Sequence, residues 1–176
     1  MLHNSDMAQH ALSDSGLPAV QRLVTGHDTQ GRAVFKSEDV TPTKLIPTGD
    51  AAFLLLWTTP TVPADNNDDT DGRMRDVGLT INKGGSVIRI VDMLPGQQSP
   101  MHRTNSIDYG IILKGEIELE LDDGVKRTVY EGGIVVQRGT NHLWRNVTDK
   151  PCRIAFILIE APAYMHDGAP LEQHLP

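Results

Sequence analysis

Apolar residues along this chain come in short runs that alternate with polar ones, with a period of two rather than the ~3.6 of a helix. The segment Glu116-Ile117-Glu118-Leu119-Glu120-Leu121 alternates strictly. Successive side chains of an extended backbone point to opposite faces, so its apolar residues are expected inward and its carboxylates outward. Asp122-Asp123-Gly124 then supplies a turn, and residues 125–130 return. Upstream, Leu23-Val24 and Ala33-Val34-Phe35 flank a Gly- and Asp-rich turn over residues 26–31. The β-branched Val87-Ile88-Arg89-Ile90-Val91 stops at Pro95-Gly96, and Ile111-Ile112-Leu113 stops at Lys114-Gly115. Residues 51–57 are continuously apolar, the pattern of a buried strand. Val135-Val136, residues 142–147 and residues 153–159 add further strands.

Turn signals recur roughly every 8–12 residues, and no long amphipathic helix pattern is visible. Pro60, Pro63 and the acidic segment 65–72 interrupt the chain. This predicts an all-β sandwich or barrel with little helix, not a fold of alternating strands and helices. Residues 18–176 are expected to form one barrel domain. Residues 1–17 are polar, and Gly16 and Pro18 limit any helix there, so they are expected as a mobile tail. Residues 161–176 carry three prolines and are expected as loop packed on the barrel wall.

Composition narrows the function. A chain of 176 residues has a one-domain length, and 39% hydrophobic residues suffice for one core. The net charge of -7, from 16 basic and 23 acidic residues, argues against nucleic acid or an anionic membrane as partner. No apolar run approaches the ~20 residues that span a bilayer, and the polar N-terminus lacks a signal-peptide core. The lone Cys152 borders an apolar run and reads as a small buried hydrophobe. A cytoplasmic protein is expected, and the sequon at Asn146 is then accidental.

Two blocks carry the candidate chemistry. One contains Gly96, Met101, His102, Thr104, Asp108 and Gly115, and the other contains Gly139, Asn141, His142, Trp144 and Asn146. Both resemble the signature motifs of the cupin superfamily. Gly96, His102 and Gly115 match the first motif, with Thr104 at the place of a second histidine and Asp108 at that of a glutamate. Gly139, His142 and Asn146 match the second, with Gln137 in place of a proline and Gly132 one residue too close. The resemblance covers about residues 84–160 and implies a double-stranded β-helix, or jelly-roll barrel, a fold that hosts both enzymes and binders.

His102, Asp108 and His142 form a possible 2-His-1-carboxylate set, which suits Fe, Mn, Zn or Ni and leaves coordination positions open. The same three are the candidate catalytic residues. The rival is a metal-free pocket in which a carboxylate fixes a histidine that acts as general base. Thr104, Trp144, Met101, Ile112 and Asn141 are expected around the substrate, and Tyr109 is a similar candidate. Arg103 and Arg145 should point away by strand alternation. Segment 65–72 has only a superficial calcium-loop pattern, because Thr70 stands where such a loop needs glycine. His3, His10, His27, His166 and His174 show no ligand spacing.

The expected function is a small-molecule enzyme. Its reaction would be metal-assisted: oxygenation, decarboxylation, or lyase or proton-transfer chemistry on a small oxygenated or carboxylate substrate. A non-catalytic ligand-binding cupin and a metal-free isomerase or epimerase with a histidine base stay open. The resemblance also implies a homodimer, with residues 51–57 covering or swapping a sheet edge.

Overall fold

The computed structural model of the chain describes residues 11–78 and 84–175. In chain order the strands are β1 (Val20–His27), β2 (Ala33–Thr41), β3 (Lys44–Leu45), β4 (Ala51–Thr59), β5 (Ser86–Met93), β6 (Ser106–Lys114) and β7 (Glu116–Glu120). They continue as β8 (Lys126–Tyr130), β9 (Ile134–Arg138), β10 (Leu143–Arg145), β11 (Cys152–Glu160), β12 (Met165–His166) and β13 (Ala169–Pro170). Among the described residues the only helical pieces are two short 3₁₀ turns.

A six-stranded sheet of order β3-β4-β5-β11-β6-β9 faces a three-stranded sheet of order β10-β7-β8. All pairings are antiparallel. The core between the sheets takes Val91 and Met93 from β5, Ile112 from β6, Ile117 from β7, Trp144 from β10 and Ile154 from β11. These are the inward positions that alternation assigns, and Ile117 is 1% exposed while its neighbour Glu118 turns outward to Lys126 and Arg145. Gly115 joins β6 to β7 with φ +80, a left-handed conformation that a side chain would strain.

The continuously apolar segment 51–57 lies within β4, between β3 and β5, so it extends the sheet instead of covering an edge. It is apolar on both faces because both are covered. Ala51 meets the inner core, while Leu54 joins Ile90 and Ala155 in a second cluster on the sheet's outer face. Val20 of β1 packs on that second cluster, so the separate β1–β2 ribbon caps half of the outer face.

Residues 11–17, expected to be mobile, are tied down instead; residues 1–10 lie outside the described residues. Ser15 Oγ donates to Asp92 Oδ2 at 2.6 Å, and Ser13 Oγ is held by the Thr43 amide at 3.0 Å. Asp92 is fully buried and also accepts from Thr43 Oγ1 at 2.7 Å and from Arg153 Nε at 2.6 Å. A buried carboxylate without such partners would be costly, so the N-terminal segment serves as part of Asp92's solvation. No sequence period signals this, since the partners are 49 to 77 residues apart.

The C-terminal stretch contains the small β12–β13 hairpin and then runs along the barrel mouth. His174 pairs with Arg103 through two backbone hydrogen bonds, Arg103 N to His174 O at 2.9 Å and the reverse at 3.2 Å.

Candidate functional site

The two motif histidines are brought together by the backbone. His102 and His142 exchange reciprocal N–H···O bonds of 2.9 Å in an isolated antiparallel bridge. Residues directly opposite in such a bridge present their side chains on one face. The imidazole centroids consequently stand 4.2 Å apart, with the rings tilted by 54°. Each ring is fixed by a backbone carbonyl two residues upstream, His102 Nδ1 by Pro100 O at 2.8 Å and His142 Nδ1 by Thr140 O at 2.9 Å. A carbonyl only accepts, so Nδ1 carries the proton and each Nε2 keeps its lone pair.

Asp108 enters the same pocket from the inner face of β6 and is 5% exposed. Its carboxylate accepts from Ser106 Oγ at 2.5 Å and from Thr104 Oγ1 at 3.4 Å, and the two hydroxyls lie 2.8 Å apart. Thr104, where the superfamily has a second histidine, is thus a partner of the carboxylate. The three residues expected to form a metal triad do not assemble as one. Among the described residues no group of three or more His, Cys, Asp or Glu is placed to hold a metal ion. The Asp108 carboxylate is engaged by the Ser106 and Thr104 hydroxyls, and position 104 supplies a hydroxyl where a second imidazole would stand. The two open Nε2 atoms are proper metal donors, but a catalytic divalent site takes three protein ligands. The residues present do not fit a resident metal as they stand.

Burial drives the protonation of this group apart. Loss of water pushes the Asp108 carboxyl up to about 6 against the pull of the Ser106 and Thr104 hydroxyls. Burial pulls His142 down to about 4, and the neighbouring His102 and His174 act in the same direction. His102 is lowered as well, mainly by burial.

The cavity holds about 120 Å³. Its apolar walls are Phe53, Val91, Met93, Trp144, Phe156 and Leu158. Trp144 meets Phe156 edge-on at 5.3 Å, and His142 stands T-shaped to Trp144 at 6.3 Å. Gly110 makes room for this aromatic stack, because a Cβ there would lie 3.1 Å from Phe156 Cε1 and 3.5 Å from Trp144. Arg89 also lines the cavity, with its guanidinium 5.8 Å from the Phe53 ring centroid; burial lowers it to about 10, so it stays cationic near neutral pH.

Thr104 and Trp144 line the cavity as expected, whereas three of the expected pocket residues do not. Ile112 is 1% exposed in the core beneath it. Asn141 lies on the rim, its amide donating to Asp122 Oδ1 at 2.6 Å and accepting from His174 Nε2 at 2.9 Å. Met101 is half-buried outside the lining, since it alternates away from His102. Arg145 points away as expected, its Nη1 bonded to Glu118 at 2.7 Å and Glu120 at 2.9 Å.

Sequence reasoning missed Arg89, Phe156 and His174, and it noted Gln137 only as a departure from the motif. The signal for Arg89 and Phe156 was available, because each shares its strand's inward parity with core residues Val91 and Ile154. Gln137 of β9 stands directly across from Asp108 and is 3% exposed. Among the described residues neither Nε2 nor Oε1 of its amide has a hydrogen-bond partner. A buried donor or acceptor left unmade costs about 1–3 kcal/mol.

With the geometry in hand, the relatives place the chain. The Cupin_2 family model, the cupin domain, matches residues 89–159. Phomopsin biosynthesis cluster protein C' of Diaporthe leptostromiformis is 42% identical over 84% of this chain and 82% of its own length. The cupin-domain-containing oxidoreductase fogC of Aspergillus ruber is 36% identical over 95% of this chain and 84% of its own length. A solved RmlC-like cupin with a double-stranded β-helix fold from Methanocaldococcus jannaschii is 28% identical, covering 43% of this chain and 70% of that one with a TM-score of 0.41. The chain belongs to the cupin superfamily. Its fold is accordingly the all-β double-stranded β-helix.

Proposed function

We propose that this cupin is a small-molecule enzyme that moves a proton beside a carbonyl group of an apolar-bodied, oxygenated substrate. The observation that carries the reading is the make-up of one pocket: the buried Asp108 carboxyl, raised to about 6, lines it together with two imidazoles whose Nε2 lone pairs are open. A group whose pKa lies near the working pH is the effective general base, and near neutrality that group is Asp108. His142, held down to about 4, accepts a hydrogen bond without taking the proton, so it and His102 are suited to receive a substrate hydroxyl. Ser106 and Thr104 aim the carboxylate. In an α-hydroxycarbonyl, a proton taken from the hydroxyl-bearing carbon and returned to the former carbonyl carbon, through an enediol, exchanges the oxidation levels of the two carbons with no net oxidation and no electron carrier. That chemistry is compatible with relatives named as cupin-domain-containing oxidoreductases and as members of phomopsin and oryzine biosynthesis clusters.

The test is hydrogen exchange in D₂O, followed by NMR on α-hydroxycarbonyl and 1,3-dicarbonyl compounds with chelator present. The wild type is expected to speed C–H exchange in at least one of them, and Asp108→Asn to lose about 10²–10⁴ of that rate. Exchange indifferent to Asp108, or absent from the wild type, contradicts the reading; absence would leave a ligand-binding cupin. The metal-assisted reaction, with Fe, Mn, Zn or Ni, is the second reading. The two open Nε2 atoms favour it, it needs a third donor that the described residues do not assemble, and the metal content of purified protein decides it. A homodimer in the cytoplasm is part of the proposal. Exposed apolar side chains on β6 and β9 support the pairing, and among the described residues no helix is long and apolar enough to cross a membrane.

A further inference from the structure

The amide of Gln137 borders the cavity and has no part in the proton-transfer machinery. Gln137 is 3% exposed, borders the cavity, and among the described residues has neither a donor for Oε1 nor an acceptor for Nε2. Buried side-chain amides are ordinarily satisfied, and an orphaned pair is retained where something else completes it. An amide offers a donor and an acceptor side by side in one plane. Its complement is a group that presents an acceptor and a donor on neighbouring atoms. Two surroundings narrow the choice. Asp108 stands directly across the β6–β9 ladder from Gln137, so a second anion there would be repelled. Arg89 lines the same cavity from β5, with β11 between it and the β6–β9 pair, and most of the remaining wall, Phe53, Val91, Met93, Trp144, Phe156 and Leu158, asks for an apolar body.

We infer that Gln137 is the specificity-determining residue of this pocket, and that it reads a neutral ligand head in which a carbonyl oxygen sits beside an N–H or O–H donor, carried on a compact apolar body. The inference rests on the pocket being a small-molecule site, as in the proposed function, and adds which part of the molecule is read and where. It also orients the ligand. With its head at Gln137, the carbonyl and the carbon next to it fall beside Asp108, the cross-strand neighbour. A cavity of about 120 Å³ is of the order of the ~150 Å³ engineered cavity that accepts benzene, so single-ring probes are the right size.

The test uses benzamide, benzoate and toluene as probes, titrated by ligand-observed NMR against the wild type, Gln137→Leu and Gln137→Met. The two substitutions keep volume and remove the amide. Benzamide is expected to bind the wild type about tenfold or more tightly than toluene or benzoate, the ratio that one well-made polar contact supplies. Both variants are expected to lose that preference while toluene changes by less than about twofold. Thermal midpoints of the two variants at or above the wild type's would agree with the removal of a buried group that lacks partners. Benzamide that shows no preference in the wild type, or keeps its preference in both variants, overturns the inference; the latter is the result expected if ordered water completes the amide. The two readings fail separately. Amide preference that depends on Gln137 together with proton exchange indifferent to Asp108 removes the catalytic role and keeps the recognition role, and the converse result removes only the recognition role.

Discussion

Burial does opposite things to an acid and a base, and this pocket contains both. Taken out of water, Asp108 resists losing its proton and His142 resists gaining one. The consequences for stability oppose each other. Asp108 is raised from 3.8 to about 6, so the native state holds its proton more tightly than the unfolded chain does. Its contribution is full below about 3.8 and is lost as pH rises through about 6. His142 is lowered from 6.5 to about 4, so its contribution is full above 6.5 and is lost as pH falls through about 4. Each is worth about 3 kcal/mol at 1.36 per pKa unit, and between about pH 4 and 6 they largely cancel. Asp108→Asn removes one side of that balance. In metal-free protein, denaturant unfolding should show the wild type gaining about 3 kcal/mol relative to the variant as pH falls from 7 to 4. A difference between the two proteins that does not change with pH contradicts the buried-acid assignment.

At the scale of strands, the outer face of the six-stranded sheet is only half covered. The β1–β2 ribbon lies over the β4, β5 and β11 side through Val20, Leu54, Ile90 and Ala155. On the β6 and β9 side Tyr109, Leu113, Ile134 and Val136 remain between 37% and 65% exposed, with Tyr109 directly across from Val136. β9 is also an edge strand with an unpaired ladder. Edge strands beside apolar patches are commonly covered by a second chain. Light scattering should therefore give twice the 19.3 kDa chain mass, and Val136→Lys should shift it to a single chain while leaving the thermal midpoint within a few degrees. A wild type that stays monomeric at high micromolar concentration contradicts the pairing.

For the whole molecule, what the sequence reveals is what has a period or a fixed spacing. The strand pattern was legible because alternation is local, and Ile117 and Leu119 between outward glutamates needed no other information. His102 and His142 were legible because the motif glycines fix where each block turns. The remainder depends on contacts between distant segments. Asp108 is turned to Ser106 and Thr104 by hydroxyls that look unremarkable in sequence. Ser15 is ordered by a buried carboxylate at Asp92, and Ser13 by the Thr43 amide and Arg153, all far along the chain. His174, in what reads as a featureless tail, lies against the site because its backbone completes a ladder on Arg103.

One pocket keeps two imidazoles neutral, with their Nε2 lone pairs open, while burial raises the Asp108 carboxyl to about 6. The most direct measurement is an NMR titration of metal-free protein labelled with ¹⁵N in histidine and ¹³C in aspartate. The expected result is Nδ1–H tautomers at both His102 and His142, a His142 that stays neutral down to about pH 4, and an Asp108 carboxyl with its midpoint at about 6. Protonated Nε2 at either ring, or an Asp108 midpoint at the ordinary 3.8, would contradict it.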